Sequence, residues 1–311
     1  MAAPSNTTLT YQSVGNREDL TDVIYNIAPT ETPFLSMCGT TEATSTKHEW
    51  QTDDLAPAAN NKQVEGDDAA AAAASPTVRV DNQTQISSKT VSVSGTQDAV
   101  SSAGRKKELA YQVSKRGKEI KRDMEFALTQ NTTAIAGDSA TARQLRGLEG
   151  WIATNNSLGA TGVAPNPINN TAPTDGTQRA FTESLLKDVL QKCWNNGGDP
   201  DVIMVGGTQK QVFSTFDGGA TKQTDSKDKK VVATVDIYVS DFGTLKVVPN
   251  RFQRARTAFA LQSDMWEVAY LRRFKTEPLA KTGDSEKRML LAEYTLKAKN
   301  EKSSGAVRDL S

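Results

Sequence analysis

Apolar positions are thin at the start of this chain and become periodic only further in. Up to about Thr40 the sequence is polar, broken by Pro29 and Pro33, with one small apolar patch at Phe34, Leu35 and Met37. Such a stretch reads as an extended arm with one anchoring point. Lys47-His48-Glu49-Trp50 then reads as a short strand. A polar excursion follows through Pro57, Asn60, Asn61, Gly66 and the alanines Ala69 to Ala74, and a second β-prone run returns through Val78, Val80, Ile86, Val91 and Val93. Two strands around a loop of roughly 25 residues make a long hairpin with too little apolar surface to fold alone. It needs something to lie on.

The helical period is clearest next. Leu109, Val113, Ile120, Met124, Ala127 and Leu128 recur at steps of three and four, with basic residues mainly on the other faces. Taken from near Asp98 to near Asn131, the helix would be about 50 Å long; Gly117 inside it costs about 1 kcal/mol. A Gly- and Asn-rich connector with Pro165, Pro167 and Pro173 spans Gly147 to Gly176. Beyond it the pattern predicts a helix over Thr182–Trp194 with Thr182 as cap, a buried strand at Val202–Val205 and a short helix over Thr208–Phe216. Val231, Ala233, Val235, Ile237 and Val239 alternate into a hairpin that turns at Asp241-Phe242-Gly243-Thr244, and alternation returns at Leu290, Ala292, Tyr294, Leu296 and Ala298. The fold class is α+β with antiparallel sheet and protruding arms.

Composition narrows the function. The chain has 311 residues, enough for a core that needs no disulfide staples, and 37% are apolar against 24% charged. Cys38 and Cys193 have neither metal-ligand spacing nor the density of a secreted scaffold. No apolar run is long enough to span a bilayer, and the first thirty residues lack the pattern of a signal segment. Net charge is zero, but the first hundred residues carry 13 acidic and 5 basic groups, leaving 24 and 32 for the remainder. That asymmetry suggests an acidic N-terminal part docking on a more basic body.

The single histidine, His48, removes histidine-based triads and multi-histidine metal sites. Gly206-Gly207-Thr208 sits at a strand-to-helix turn but lacks the lysine and glycine spacing of a phosphate-binding loop. Asp67-Asp68 and the pair Asp284 and Glu286 read as solvated turn acids. Between Arg105 and Glu125 lie eight basic and four acidic residues. This mild positive stripe could meet DNA phosphates through Lys115, Arg116, Lys118 and Arg122, without the interleaved aromatics that stacking on single strands requires.

The order of parts resembles the N-terminal arm, E-loop, spine helix, axial domain and peripheral domain of Hong Kong 97-type capsid proteins. Local strings carry the likeness further: PTETPFLSMCG from Pro29, KHEWQTDDL from Lys47, RGLEGW from Arg146, VSDFGTLKVVPNRF from Val239 and LAKTGDSEKRMLLAEYTL from Leu279 are similar to those of tailed-phage major capsid proteins. The resemblance runs from about Asn16 to about Asn300. It implies an arm over residues 1–45, an E-loop over 46–95, spine helix and connector over 96–180, an axial domain over 181–248 and a peripheral β segment with tail over 249–311.

The same resemblance implies a non-enzymatic subunit, without cofactor or metal, that forms pentamers and hexamers in an icosahedral shell around double-stranded DNA, bound by non-specific contact. Portal and scaffolding or decoration proteins would be its partners, a membrane would not, and synthesis would occur in the bacterial cytoplasm before incorporation into the virion capsid. Lys62 and Asn300 match no cross-linking motif, so covalent joining of subunits is not expected. Trp50, Asp53, Asp54, Lys62, Asp67, Asp68, Val78 and Val80 are the expected contacts between subunits. A tail-tube or decoration subunit would share the polar arms but should be shorter and lack the brace helix. A nucleotide-binding or hydrolytic enzyme would have to use Gly206 to Thr208.

Overall fold

The computed structural model describes residues 31–66, 68, 76–100, 107–216 and 237–311. Two sheets and one long helix organise them. In the first sheet, β10 (Trp266–Pro278) and β11 (Ser285–Ala298) form an antiparallel pair; β1 (Gly39–Glu42), which follows the short helix α1 (Pro33–Met37), joins β10 in parallel and β4 (Gln85–Ser94) joins β11 antiparallel. The alternation read from Leu290 to Ala298 lies on β11, at the centre of this sheet. Register shifts after Tyr270 and Arg272 mark where β10 leaves the core and its side chains become exposed.

Helix α3 (Glu108–Thr129) lies across the sheet and buries Ile120, Met124 and Leu128 in one cluster with Leu290, Ala292, Tyr294 and Leu296. Its 22 residues span about 33 Å, shorter than the sequence pattern suggested. A separate turn of helix, α2 (Gly95–Ala99), precedes it, and Val100 and Lys107, which flank residues 101–106, are both extended. The apolar stripe begins only at Leu109, so nothing upstream gives a helix a face to bury.

The second sheet has the order β5-β12-β9-β6-β8-β7. Its strands are β5 (Asn156–Ser157), β6 (Val202–Val205), β7 (Ile237–Ser240), β8 (Gly243–Pro249), β9 (Ala258–Leu261) and β12 (Gly305–Val307). The expected boundary at 248 is therefore corrected, because β9 and β12 belong with β6 rather than with the other sheet. Every residue of β6 is buried, because Met204 faces one core cluster while Ile203 and Val205 face the other; its edges are paired with β8 in parallel and β9 antiparallel. Helix α4 (Glu183–Asn195) contributes Leu186, Val189, Leu190 and Cys193 to the core of this sheet, and α5 (Gly207–Phe213) contributes Phe213. Thr182 stands at the N-cap position of α4 without a side-chain bond, and α5 ends three residues before Phe216. The expected alternation at Val231, Ala233 and Val235 falls outside the described residues; Ile237 and Val239 lie on β7 and turn through 241–242 into β8.

Candidate assembly surface

A two-stranded ribbon, β2 (Lys47–Thr52) against β3 (Val78–Gln83), pairs with neither of the larger sheets. The returning run from Val78 to Val93 is not one strand but two, broken at Thr84. Thr84 is fully buried: its N–H donates to the Thr46 carbonyl and its hydroxyl to Glu293 Oε1 at 3.0 Å. Glu293, itself buried, also pairs with Arg143 and, through its other oxygen, with Arg272. Before this pivot the chain pairs only within the ribbon; after it, the chain is part of the first sheet.

The foot of the ribbon is fastened to its own chain by a stack of planar groups. His48 lies 5.6 Å from Trp50, Trp50 lies 5.2 Å from Trp151, and the Arg146 guanidinium sits 4.5 Å over the Trp151 ring. Trp50 Nε1 donates to the Ala298 carbonyl at 2.8 Å. Asn82, fully buried, donates to the carbonyls of Leu296 and Arg146 and accepts from the backbone N–H of Arg146 and Gln83. Arg146 is buried with Asn170 Oδ1 as a 3.0 Å acceptor, and burial lowers its pKa to about 10, so it stays charged at neutral pH.

Trp50 and Val80, expected contacts between subunits, are half-buried against their own chain. The pivot at Thr84 turns the second half of the run, residues 85–93, onto β11.

Beyond the foot the chain is exposed. Residues 53–66 carry no regular structure, and Asp53, Asp54, Lys62 and Asp68 are all exposed. Leu55 is 99% and Val64 76% exposed, and Val78 at the return is 42% exposed. Asp54 is paired with Lys302 of the same chain. Asp67 lies outside the described residues.

On α3 the four candidate DNA-facing residues divide. Lys115 and Lys118 are exposed, Arg116 is paired with Glu119 at 2.6 Å, and Arg122 lies over the Phe252 ring at 5.5 Å. Both arginines are half-buried.

Three buried polar nodes were not singled out from the sequence. Glu125 on α3 accepts from the N–H of Phe34 and Leu35 and from Asn250 Nδ2, fixing the end of the arm to the helix. Burial raises its pKa, and those three donors oppose the rise. Glu149 meets Arg254 at 2.8 Å and Arg308 at 3.5 Å. Asp309 accepts from the N–H of Gly159 and Gly176 and pairs with Arg256. Arg146, Glu149 and Trp151 fall in the RGLEGW string and Asn250 in VSDFGTLKVVPNRF, so the recognisable strings were the available signal. Asp309 had none.

A family model described as SU10 major capsid protein matches residues 3–311. The chain belongs to the SU10 major capsid protein family. Within it, the chain is 30% identical over 336 aligned residues to the major capsid protein of Escherichia phage Phieco32, with 96% of each chain covered. Its fold is similar to that of the Cyanophage A-1(L) capsid asymmetric unit, with a TM-score of 0.68, 14% identity and coverage of 97% and 98%. The bacteriophage PhiM1 mature capsid gives a TM-score of 0.62 at 9% identity over 99% and 98% of the two chains. The fold is the Hong Kong 97-type capsid fold. As a member of the SU10 major capsid protein family, this chain is a structural subunit of a tailed-phage virion shell and not an enzyme.

Proposed function

We propose that this capsid protein forms pentamers and hexamers that close into an icosahedral shell around double-stranded DNA. Each copy lays its loop, from Asp53 towards Val78, on a neighbour. The observation that carries this reading is the contrast along the ribbon, whose foot is bolted to its own body by Trp50 and Asn82 while Leu55 and Val64 stand exposed beyond it. A protein that burdens solvent with such apolar groups on an extended arm gains by covering them with a sister molecule. Asp53, Asp54, Lys62, Asp67, Asp68 and Val78 are the residues assigned to that contact, and Lys115 and Lys118 to non-specific phosphate contact with packaged DNA. Portal and separate scaffolding or decoration proteins complete the assembly, which begins in the host cytoplasm. Electron microscopy of the concentrated protein, alone and with its co-expressed head proteins, tests the reading. Five- and six-fold rings and closed shells are expected; a small discrete oligomer without a lattice would overturn it, and uniform closed shells from the pure chain would remove the need for a scaffold.

A further inference from the structure

The connector between α3 and α4 has little apolar surface to hold it. No residue from 153 to 180 enters either core cluster, and between 158 and 178 only Pro165 and Pro173 are buried. Its base is closed instead by polar contacts with the tail that follows β12. Asp309, 2% exposed, places one carboxylate oxygen 2.9 Å from the Gly159 N–H and the other 2.7 Å from the Gly176 N–H, with the Arg256 guanidinium 3.4 Å away. The fit is close, for a Cβ on Gly162 would lie 2.7 Å from Asp309 Oδ2 and one on Gly159 2.8 Å from Asp309 Cβ. The backbone adds to the hold: Arg179 N–H donates to the Asp309 carbonyl, Leu310 N–H to that of Arg256 and Ser311 N–H to that of Arg179. Asp309 itself sits at φ +60, a left-handed conformation that a residue with a side chain adopts at a cost. Leu310 beside it is buried in the core of the second sheet.

We infer that this tail is a latch: the Asp309 carboxylate, seated in its glycine cradle, fastens the base of the connector to the body, and its withdrawal frees that base while both cores stay folded. The far end of the connector has its own anchor in Asn170, which accepts from the Ala134 N–H and from Arg146 and donates to the Ala134 carbonyl. At the base, Gly162 N–H bonds to the Gly159 carbonyl, Val163 and Thr174 bond to each other, and Thr177 N–H bonds to the Ala160 carbonyl. Those bonds stay inside the connector, so they hold only while its two sides are kept together. Arg254 and Arg256 also reach Asp175 there, and Arg256 donates to the Gly176 carbonyl, but Asp175 is exposed and its pairs are screened by water. Asp309 is the buried member of the set. A segment held by a few polar bonds, with little apolar surface beneath it, opens at lower free energy than the core strands, and strain at the joint favours opening further. The latch lies within one subunit and is tested without assembly.

Hydrogen exchange of the full-length, unassembled subunit provides the test. Asp309→Asn keeps the side chain's shape and tolerates the left-handed backbone, but it turns an amide N–H towards a glycine N–H. The amides of Gly159, Gly162, Val163, Gly176 and Thr177 should then exchange faster by about tenfold or more, while those of β6, β9 and β11 exchange as in the wild type. Asp309→Gly relieves the backbone strain and leaves room for a small free carboxylate in the cradle. Formate at neutral pH should restore the protection of the base in that variant, and chloride at equal ionic strength should not. Unchanged base amides in Asp309→Asn would overturn the inference. So would faster exchange of the core strands together with the base, which would make the tail part of the global fold, and so would a base in Asp309→Gly that formate does not restore.

Discussion

Glu149 is 1% exposed and holds two guanidiniums, those of Arg254 and Arg308. Arg308 also donates to the carbonyls of Glu149 and Ile152, and burial lowers its pKa only to about 10. Removing the carboxylate would leave buried positive charge uncompensated, so Glu149→Ala should cost about 3–5 kcal/mol in urea unfolding of the unassembled subunit. A loss below 1 kcal/mol would show that the network is better hydrated than its burial implies. His48 makes a different prediction. Burial, and secondarily Lys297, lower its pKa below the ordinary 6.5. The unfolded chain therefore takes up the proton first, and the stability tied to neutral His48 is whole above that value and drains away as pH falls through it. His48→Gln should flatten the fall in melting temperature as pH drops below about 6.5 relative to the wild type; parallel curves would refute the assignment.

At the scale of elements, Gly117 stands within α3, where an added Cβ would lie 3.8 Å from both Leu290 and Phe274. That is ordinary van der Waals distance, so the helix keeps a glycine that packing does not require. Gly117→Ala should raise stability by about 1 kcal/mol through helix propensity alone, measured by the shift of the denaturation midpoint. A destabilised variant would mean that the sheet below cannot yield. The ribbon shows how one element serves two purposes. Thr84 divides a single β-prone run so that one half completes the first sheet against β11 while the other projects. The sequence shows the alternation of Val78 to Val93 but not the break, because a buried threonine bonded to Glu293 looks like any strand residue until its partner is known.

For the whole molecule, the proposed division of labour between a self-contained body and a projecting loop can be separated by deletion. Residues 60–74 make no strand among those described, while the ribbon's foot is held by Trp50, Asn82 and Arg146. Removing Asn60 to Ala74 should leave the melting temperature nearly unchanged and abolish regular shells in electron micrographs; normal shells would refute the loop's role. Zero net charge suits the crowding of many copies, since a strongly charged subunit would repel its neighbours.

Periodicity sufficed for the elements whose partners are nearby in sequence or whose faces are distinct. The stripe from Leu109 to Leu128 specified α3, and alternation specified β11 and the β7–β8 hairpin, because side-chain spacing alone decides which face is buried. The recognisable strings carried the family, and Glu149 lies within them, as do Phe34, Leu35 and Asn250, the partners of Glu125, whereas Asp309 does not. Only the tertiary structure decided that β9 and β12 join β6, that Trp50 packs on its own chain, and that Glu125 receives the arm. Each of these depends on groups separated by tens to hundreds of residues. Local pattern shows that a residue must be buried or satisfied, but the identity of a distant partner is set by how the chain closes upon itself.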